Sequence, residues 1–371
     1  MLEQKSGLAP SDVSPSPPAW PGFRALRVAA KAREGADVLS LALEPADARP
    51  LATPLPGQFI VLRLQPGRDA PPLLRSYSLS GAPTAGQYRL GVKLETGGAA
   101  GTYLERETRV GDTLLASAPR GSFTLAPGEQ ALVLASAGIG VTPALAILHA
   151  LAAGRSPREV WWLYGTRNAA HHPFAAESRA LLRQLPNVHS RIWYSRPAPG
   201  DRPGADFDAR GHLAVAAFDE LAIPREAEFY LCGPPAFMRA LRADLGAWGV
   251  APERIRTEVF GAGESSTPGI VNARHRPVHA PAAAAQTGPL VSFARSNLST
   301  RWEPKYPSLL ELAEACDVPV RWSCRTGVCH RCESGLVAGA VGYRPAPLEL
   351  PAPGNVLICC AQPRGDVVID L

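Results

Sequence analysis

The feature that most constrains this chain is a group of cysteines near its C-terminus. Cys324, Cys329 and Cys332 follow the spacing C-x4-C-x2-C, and the pair Cys359–Cys360 comes later in the chain. This spacing is typical of loops that hold a [2Fe–2S] cluster, in which three thiolates converge from one tight turn and a fourth comes from a separate strand. The pattern therefore predicts a protein that moves electrons one at a time.

Zinc is the alternative metal, because four sulfurs also suit its tetrahedral coordination. Zinc sites usually pair two C-x2-C knuckles, however, and Cys329–Cys332 is the only such knuckle in the sequence. His330 lies between two of the cysteines, but no C-x-H pair of the kind found in Rieske centres is present. Spacing and metal chemistry together favour iron–sulfur over zinc.

Length and composition limit the class of protein. At 371 residues the chain is long enough for two or three domains. The net charge of +5 is modest, and no run of Lys or Arg indicates a nucleic-acid partner. No stretch approaches the roughly 20 apolar residues that a membrane span needs. Residues 1–21 open with a Ser/Pro-rich segment that lacks the apolar core of a signal peptide, so we expect a disordered tail.

Cysteine usage bears on the compartment. The seven cysteines are mostly crowded near the C-terminus and do not resemble a disulfide framework spread over a secreted fold. A reducing cytoplasm therefore fits best.

Two hydrophobic patterns divide the first 260 or so residues. From Phe23 to about Gly128, short alternating runs are cut by Gly and Pro, which predicts an antiparallel β-barrel. From Gln130 a continuous apolar strand, Ala131–Ala135, is followed by a Gly-rich turn and a helical run, and strands then alternate with helices. This alternation predicts an α/β unit with a doubly wound parallel sheet.

The remaining residues divide into a linker and a third unit. Residues 261–289 are rich in Pro, Ala, Gly and Ser, which is typical of an interdomain linker. The third unit begins with a strand at Leu290–Phe293. An amphipathic helix is predicted over Ser308–Ala315, with Ser308 as N-cap and Glu311 completing a capping box.

Two segments of the predicted barrel suit a flat cofactor that carries phosphate. In Arg75–Ser78, a guanidinium can fork onto phosphate oxygens, a tyrosine can pack on a flat ring, and a hydroxyl can donate a hydrogen bond to a ring nitrogen. This string is a weak signal by itself. Gly98–Thr102 forms a Gly-rich turn into a possible short helix, whose N-terminus can hold phosphate, although a flexible hairpin fits equally well.

The α/β unit places short motifs at strand ends. The turn Gly138–Thr142 lets the backbone approach a pyrophosphate, although it departs from G-x-G-x-x-G. Cys232–Gly233 ends a later strand at the edge where open sheets bind ligands. Glu258 and Phe260 place a carboxylate and an aromatic ring just before the linker. Taken singly, Gly138–Thr142 also fits a tight turn, Cys232 fits a small buried residue, and Glu258 with Phe260 fits an ordinary strand end.

Taken in order, the motifs resemble one family. R-x-Y-S, G-x-G-x-T-P, C-G-P-x-x-F and E-x-F-G occur in the order typical of the ferredoxin–NADP reductase superfamily. With the C-terminal cysteine domain, the chain is similar to phthalate-dioxygenase-reductase-like and phenylacetyl-CoA-epoxidase-reductase-like electron-transfer proteins, and its first two units resemble the reductase half of flavohaemoglobins. The resemblance implies a multidomain fold: an antiparallel β-barrel flavin domain at 22–129, an α/β NAD(P) domain at 130–263, a linker at 264–288, and an α+β, β-grasp plant-type [2Fe–2S] ferredoxin domain at 289–371.

The resemblance also implies roles for the motif residues. Arg75 would bind flavin phosphate, Tyr77 would stack at the isoalloxazine, and Ser78 would hydrogen-bond near flavin N5. The residues implied to bind flavin or nicotinamide nucleotide are Arg75, Ser76, Tyr77, Ser78, Gly98, Gly101, Thr102, Gly138, Gly140, Thr142, Arg167, Ser195, Arg196, Cys232, Gly233 and Phe260. Those implied to take part in catalysis are Ser78, Cys232, Glu258 and Phe260.

The resemblance implies four cluster ligands, which are Cys324, Cys329, Cys332 and Cys359. Cys359 is preferred to Cys360 because relatives commonly carry a proline four residues after the last ligand, as Pro363 follows Cys359. Cys360 then points to the other side of its strand.

Two choices of cofactor stay open. In Gly98–Thr102 relatives often carry a serine where this chain has Ala-Ala-Gly, so FMN remains an alternative to FAD, although neighbouring strings look more like FAD-binding members. Ser195–Arg196 resembles a pair that grips the 2′-phosphate of NADPH, and Arg167 is a second candidate for that contact. Both also fit surface turns, so NADPH is only slightly favoured over NADH.

The resemblance implies an NAD(P)H-dependent oxidoreductase that passes electrons through flavin and a [2Fe–2S] cluster to a partner oxygenase, haem protein or other acceptor. Clusters of this type lie near roughly −400 mV, low enough to reduce such acceptors. The alternatives are a self-contained oxidoreductase acting on a small molecule and a redox sensor that changes partner binding. We further hypothesise that the linker lets the cluster domain swing between flavin and partner, so that shortening residues 264–287 slows delivery.

Overall fold

The computed structural model of the protein describes residues 19–47, 49–67, 72–84, 86–258, 277–281, 287–322 and 324–371. Three units follow one another along the chain, and we call them the barrel, the parallel-sheet unit and the C-terminal unit. Every helix within these ranges is too short or too polar to cross a lipid bilayer.

The barrel is a six-stranded antiparallel sheet with one short helix. Its elements are β1 (Phe23–Arg33), β2 (Val38–Pro45), β3 (Phe59–Leu64), β4 (Leu73–Ser78), β5 (Tyr88–Lys93), α1 (Ala99–Arg106) and β6 (Thr113–Ser117). The strand order is β4-β3-β6-β1-β2-β5. A bridge between Leu79, just after β4, and Leu90 on β5 joins the two edges, so the sheet is nearly closed. The expected antiparallel barrel is confirmed, with Leu26, Leu41 and Ile60 fully buried inside it.

The second unit is a six-stranded sheet in which every pairing is parallel. Its elements are β7 (Leu132–Ala137), α2 (Val141–Ala153), β8 (Val160–Thr166), α3 (Ala175–Leu182), β9 (Val188–Tyr194), β10 (Ala209–Arg210), α4 (Ala216–Glu220), β11 (Glu228–Cys232), α5 (Pro235–Trp248) and β12 (Ile255–Glu258). Single 3-10 turns occupy Gly138–Gly140, Ala169–His171 and Pro252–Arg254.

The strand order of this sheet is β10-β9-β8-β7-β11-β12. Alternate residues of β7 face opposite sides, so Leu132 and Leu134 pack with α2 and α3, whereas Val133 and Ala135 pack with α4 and α5. The doubly wound parallel sheet is therefore confirmed. Its direction of growth reverses between β7 and β11, and a sheet of this kind binds ligands at the carboxyl ends of the strands that flank such a reversal.

The C-terminal unit is a small mixed α+β fold. Its elements are β13 (Leu290–Phe293), β14 (Leu298–Arg301), α6 (Leu309–Ala315), β15 (Glu333–Ala338), β16 (Val341–Tyr343), β17 (Asn355–Leu357), β18 (Ala361–Pro363) and β19 (Val367–Ile369). The main sheet has the order β14-β13-β19-β15-β17, and β16 pairs with β18. Ser308 caps α6 as predicted, because its Oγ accepts a hydrogen bond from the Leu310 N–H over 3.2 Å.

The predicted linker is only partly covered by the described residues. Residues 259–276 and 282–286 lie outside them, as do residues 1–18 of the predicted tail. Residues 277–281 lie against the C-terminal unit: Val278 packs against its core, and the His279 N–H donates to the Cys316 carbonyl over 3.1 Å. This part of the predicted linker is thus attached to the third unit.

Candidate functional site

A cavity of about 730 Å³ lies where the three units meet. Strand β4 and the start of α1 form its barrel side, and Thr142 and Glu258 come from the parallel-sheet unit. The C-terminal unit contributes its cysteine loop, including Cys324 and Cys329. Motifs that are far apart in the sequence therefore face one space.

A hydrogen bond joins the barrel to the parallel-sheet unit at this cavity. The Ser78 hydroxyl, at the end of β4, donates to Oε2 of Glu258, at the end of β12, over 2.8 Å. Burial at the junction raises the pKa of the Glu258 carboxyl to about 8, although the Ser78 hydroxyl acts in the opposite direction. The carboxyl therefore holds a proton near neutral pH, because burial disfavours its charged form.

Strand β4 presents the predicted flavin motif to the cavity. Arg75 and Tyr77 are partly buried in the wall, whereas Ser76 is exposed. Arg75 Nη1 donates to the Leu74 carbonyl over 2.8 Å. Burial raises the pKa of Tyr77 to about 12, so its hydroxyl stays protonated. A cation and a neutral aromatic ring thus lie side by side on one wall.

The start of helix α1 supplies backbone donors to the same cavity. Gly98 is the N-cap residue in an extended conformation, and Gly98–Gly101 line the cavity. The first N–H groups of a helix have no partner within the helix, so they are available to an anion. The N–H of Thr102, however, already donates to the Gly98 carbonyl over 3.0 Å, and its side chain is exposed outside the lining. Of the predicted segment, Thr102 is thus the residue that the fold keeps away from the cavity.

The turn after β7 is built by glycines. Gly138 has a positive φ of 55°, and its carbonyl accepts a hydrogen bond from the Tyr164 hydroxyl over 3.1 Å. A Cβ on Gly140 would lie 2.1 Å from the Cys232 carbonyl oxygen, so only glycine fits there. Thr142 is buried, and its Oγ1 donates to the Ile139 carbonyl over 2.9 Å.

Cys232 and Gly233 lie at the carboxyl end of β11, on the other side of the reversal in strand order. Cys232 pairs in register with Glu258 on one side and Ser136 on the other. Burial and the nearby Glu258 raise the pKa of the Cys232 thiol, so it is a neutral group here. A Cβ on Gly233 would lie 2.8 Å from the Phe237 ring, so the chain turns tightly into α5. The two glycine turns therefore pack together at the crevice expected for a nucleotide.

The residues predicted to select between nucleotides lie after β8 and β9. The Ser195 N–H donates to the Thr166 carbonyl over 2.9 Å, and the Arg196 N–H donates to the Arg167 carbonyl over 2.8 Å. Arg196 is exposed. The Arg167 guanidinium forms an ion pair with Asp37 of the barrel. Arg167 is thus engaged within the chain, and Arg196 is the more accessible of the two cations. Phe260 lies outside the described residues.

The cysteine loop surrounds Cys324 with donors. Its Sγ accepts hydrogen bonds from the N–H groups of Thr326, Val328 and Cys329 over 3.4–3.5 Å. The thiols of Cys329 and Cys359 also donate to Cys324, and together these bonds hold the pKa of Cys324 far below its usual range. Backbone with positive φ at Gly327 allows the tight turn that points these groups inward.

The prediction that Cys359 and Cys360 lie on a strand is wrong, because both lie in the turn between β17 and β18. The Cys359 thiol donates hydrogen bonds to Cys324 and Cys332 and also contacts Cys360, and these contacts raise the pKa of Cys359. Cys360 is fully buried, and its thiol donates to the Leu357 carbonyl over 3.6 Å. A Cβ on Gly327 would lie 2.7 Å from Cys360 Sγ, so Cys360 fills the space behind the loop. The fold thus brings together the four thiols that were predicted as a set.

This thiol set fits a two-iron cluster in its donor chemistry. Within the described ranges, no group of three or more His, Cys, Asp or Glu side chains is arranged to hold a metal ion, so the fit is one of donor chemistry alone. The four thiols are instead linked in a chain, from Cys329 to Cys324 to Cys359 to Cys332. Backbone N–H groups directed at sulfur stabilise thiolates, which are the ligands that iron–sulfur clusters use.

Several residues at the site were missed by reasoning from the sequence. Both terminal nitrogens of the Arg325 guanidinium donate to the Glu314 carboxylate, over 2.5 and 2.9 Å, and the guanidinium lies 3.7 Å above the Trp322 ring. Arg325 and Trp322 both line the cavity. Their position on either side of Cys324 is the only sequence signal that could have identified them. Arg120, considered below, carries no such signal.

Comparison with protein families identifies two regions of the chain. Residues 134–243 match the family of oxidoreductase NAD-binding domains, and residues 295–364 match the family of 2Fe-2S iron-sulfur cluster binding domains. The second match favours iron–sulfur over the zinc alternative.

Curated relatives include flavohemoproteins. The flavohemoprotein of Deinococcus radiodurans is 37% identical over 256 residues, which cover 69% of this chain and 63% of that protein. The chain therefore spans about 63% of the length of this relative.

Two solved structures are similar to different portions of the chain. The flavohem-like FAD/NAD binding domain of nitric oxide dioxygenase from Vibrio cholerae is 36% identical, with a TM-score of 0.59, and the match covers 65% of this chain and 99% of that one. Phthalate dioxygenase reductase, a modular structure for electron transfer from pyridine nucleotides to [2Fe–2S], is 25% identical, with a TM-score of 0.53 and coverage of 94% and 98%. The second match includes all three units.

Proposed function

Since the chain belongs to the ferredoxin–NADP reductase superfamily and carries a [2Fe–2S] domain near its C-terminus, we propose that it is an NAD(P)H-dependent reductase. In this proposal electrons pass from NAD(P)H through FAD to the cluster and then to a protein acceptor. The observation that carries it is the shared cavity, which is lined both by the flavin motif of β4 and by the cysteine loop. Flavin and cluster would meet in it without an intervening unit.

When bound, the cofactors supply the redox chemistry, in which an electron pair taken from the reduced nicotinamide is passed on singly. The chain's own residues bind and orient them. Arg75 and the first N–H groups of α1 would hold the flavin phosphates, because a guanidinium and a helix N-terminus both favour phosphate. The partly buried ring of Tyr77 offers a flat apolar surface for the flavin.

The Ser78–Glu258 pair would act at the edge of the flavin that receives the hydride. Glu258 holds its proton near neutral pH, so the pair contributes hydrogen bonds without a negative charge. Cys232 is likewise neutral and buried, and would pack beside the nicotinamide. The contact between Gly140 and Cys232 supports a narrow crevice in which the nucleotide backbone runs between two strand ends.

Cys324, Cys329, Cys332 and Cys359 would hold the cluster. The three backbone N–H groups directed at Cys324 would reduce the negative charge on its sulfur, which is one way in which a protein raises a cluster's reduction potential. Because thiolate ligands must stay reduced to bind iron, the same set supports a reducing compartment, which we propose to be the cytoplasm.

The acceptor is proposed to be an oxygenase or a haem protein. Support comes from phthalate dioxygenase reductase, which transfers electrons from pyridine nucleotides to [2Fe–2S] and whose match covers 94% of this chain. For the nucleotide donor, the exposed Arg196 supports NADPH, while the other cation considered for the 2′-phosphate, Arg167, is paired with Asp37.

The test is an anaerobic mixing experiment on the purified, reconstituted protein. Its flavin is extracted and identified, and the protein is then mixed with NADH and with NADPH in parallel. We expect FAD, bleaching of the flavin absorbance first, and bleaching of the cluster absorbance after it within one turnover. A protein that binds zinc in place of iron, or whose flavin is not reduced by either nucleotide, would rule out the proposal.

A further inference from the structure

The barrel and the C-terminal unit touch through a small apolar contact. Phe59 and Val61 of β3 pack against Val328 of the cysteine loop and against Leu348, and all four are buried. Cys324 is partly buried at the edge of this contact. Because this apolar contact is small, the position of the barrel relative to the C-terminal unit also depends on polar contacts.

Arg120 supplies one of those polar contacts. It follows β6, and its backbone pairs with Phe59 through two hydrogen bonds of 2.8 and 2.9 Å. Its side chain crosses the interface, where Nη1 donates to the Ala346 carbonyl over 2.9 Å. Only 6% of the residue is exposed. Its Nε is buried, with no hydrogen-bond partner in the part of the chain that the structure describes.

The segment that Arg120 contacts supports the back of the cysteine loop. The Leu348 N–H donates to the Gly327 carbonyl over 2.9 Å. The Cα of Pro347 lies 2.9 Å from the position that a Cβ on Gly327 would take. Movement of residues 346–348 would therefore move the loop that carries three of the predicted ligands.

A buried guanidinium needs a compensating negative charge. Burial lowers the pKa of Arg120, and negative charge on the nearby sulfurs of Cys360 and Cys324 acts in the opposite direction. A cluster held by four thiolates carries a net negative charge that increases when it accepts an electron. A fixed cation beside it favours the reduced form.

We propose that Arg120 is a positioning residue for electron transfer from flavin to cluster. It fixes the cysteine loop against the barrel through residues 346–348, and its charge stabilises the reduced cluster. This inference rests on the proposed function. In the step concerned the reduced flavin loses one electron and the oxidised cluster gains it, while Arg120 keeps its proton throughout.

The experiment compares Arg120→Gln and Arg120→Lys with the wild-type holoprotein. In Arg120→Gln, we expect the rate of flavin reduction by NAD(P)H to stay within about twofold, but cluster reduction to slow about tenfold or more, because small misplacements have large effects on rate. At a fixed potential, the ratio of reduced to oxidised cluster should fall about tenfold, which corresponds to about 59 mV for one electron. Arg120→Lys keeps the charge, so its cluster potential should return towards the wild-type value.

Arg63→Gln is the matched control. Arg63 also crosses this interface, but it is 43% exposed and lies 3.9 Å from Glu349. We expect its cluster potential and both rates to match the wild type, because exposed ion pairs contribute little.

The outcomes separate this inference from the proposed function. A wild-type protein whose flavin or cluster is not reduced by NAD(P)H would contradict the proposed function. A wild type that works, together with unchanged cluster potential and rate in Arg120→Gln, would overturn the role of Arg120 alone. If Arg120→Gln is isolated without its cluster, hydrogen exchange at the Leu348 amide is compared in cluster-free wild type and variant. Faster exchange in the variant supports the positioning role, and equal exchange overturns it.

Discussion

Burial makes the Glu258 carboxyl a neutral group at the meeting point of two domains, where it accepts a hydrogen bond from Ser78. Ser78 ends a barrel strand and Glu258 ends the last strand of the parallel sheet, so the sequence alone does not indicate that the two residues touch. Burial at the domain junction raises the pKa of the carboxyl to about 8, although the hydrogen bond from Ser78 acts in the opposite direction. A negative charge in this cavity would oppose the delivery of an electron pair, so we expect the protonated form of Glu258 to support flavin reduction.

The first prediction follows from that pKa. As pH rises through about 8, Glu258 loses its proton, and the rate of flavin reduction by NAD(P)H should fall about threefold to tenfold between about pH 7 and 9. Glu258→Gln stays neutral, so its rate should be nearly independent of pH over that range. Stopped-flow measurements across the range test this, with surface-exposed Glu159→Gln as a control that should keep the wild-type profile. A profile shared by wild type and Glu258→Gln would contradict it.

A second prediction concerns the two adjacent cysteines. Cys359 contacts Cys324 and Cys332, whereas Cys360 packs behind Gly327. Cys359→Ser should lose the cluster or change its electron paramagnetic resonance spectrum after reduction by dithionite. Cys360→Ser should keep about two iron atoms per chain and the wild-type spectrum. The reverse pattern would identify Cys360 as the ligand.

At this scale the sequence was informative where residues are close in the chain. The spacing of Cys324, Cys329 and Cys332 predicts a shared loop, and family resemblance led to Cys359 as their partner. The Ser78–Glu258 contact and the position of Arg120 depend on how separate units dock. Local spacing carries no information about such contacts, which explains why Arg120 was not predicted.

Among the elements, the turn between β7 and α2 depends most strictly on its sequence. The alternating strands of the barrel and the strand–helix alternation of the parallel sheet could be predicted from hydrophobic period alone. The close contact between Gly140 and the end of β11 could not, because β11 is brought beside β7 by the crossover of the chain. A glycine-rich turn indicates that something approaches closely, but not which strand does.

The third prediction tests this turn. In Gly140→Ala the new Cβ would lie 2.1–2.7 Å from backbone atoms of Cys232 and Gly233, so the two strand ends must separate. We expect a loss of about 1–3 kcal/mol in the unfolding free energy of the parallel-sheet unit and a marked rise in KM for NAD(P)H. Tryptophan fluorescence in urea and steady-state kinetics measure the two effects.

Gly246→Ala is the matched control for that substitution. Gly246 lies in α5, and a Cβ there would meet no atom within 4 Å. It should therefore leave KM unchanged and stabilise the helix by up to about 1 kcal/mol. Equal effects of the two substitutions would show that the contact with β11 is unimportant.

For the whole molecule, function depends on how the three units are held around one cavity. Arg120 acts between the barrel and the C-terminal unit, and a second polar cluster acts between the barrel and the parallel-sheet unit. In that cluster the Arg89 guanidinium donates to both oxygens of Glu177 over 2.8 and 2.9 Å, and His149 Nε2 lies 2.6 Å from Glu177 Oε1. The bounds of the domains and the swinging of the cluster domain stay predictions, since most of the linker lies outside the described residues.

The fourth prediction is that the Arg89–Glu177 pair couples the unfolding of the two units. Burial alone would raise the pKa of Glu177, but hydrogen bonds from His149 and Arg89 outweigh burial and hold the pKa below its ordinary value. The carboxylate is therefore charged near neutral pH. The contact with Arg89 weakens only in acid, where the carboxylate gains a proton. A double-mutant cycle with Arg89→Gln and Glu177→Gln should give a coupling energy of about 1–3 kcal/mol.

In urea, flavin release and tryptophan fluorescence should change together in the wild type and separately in Glu177→Gln. Arg191→Gln, which removes the partner of the exposed Glu220 carboxylate inside one unit, should keep the two transitions together. Coincident transitions in all three proteins would mean that the apolar contacts alone join the barrel to the parallel sheet.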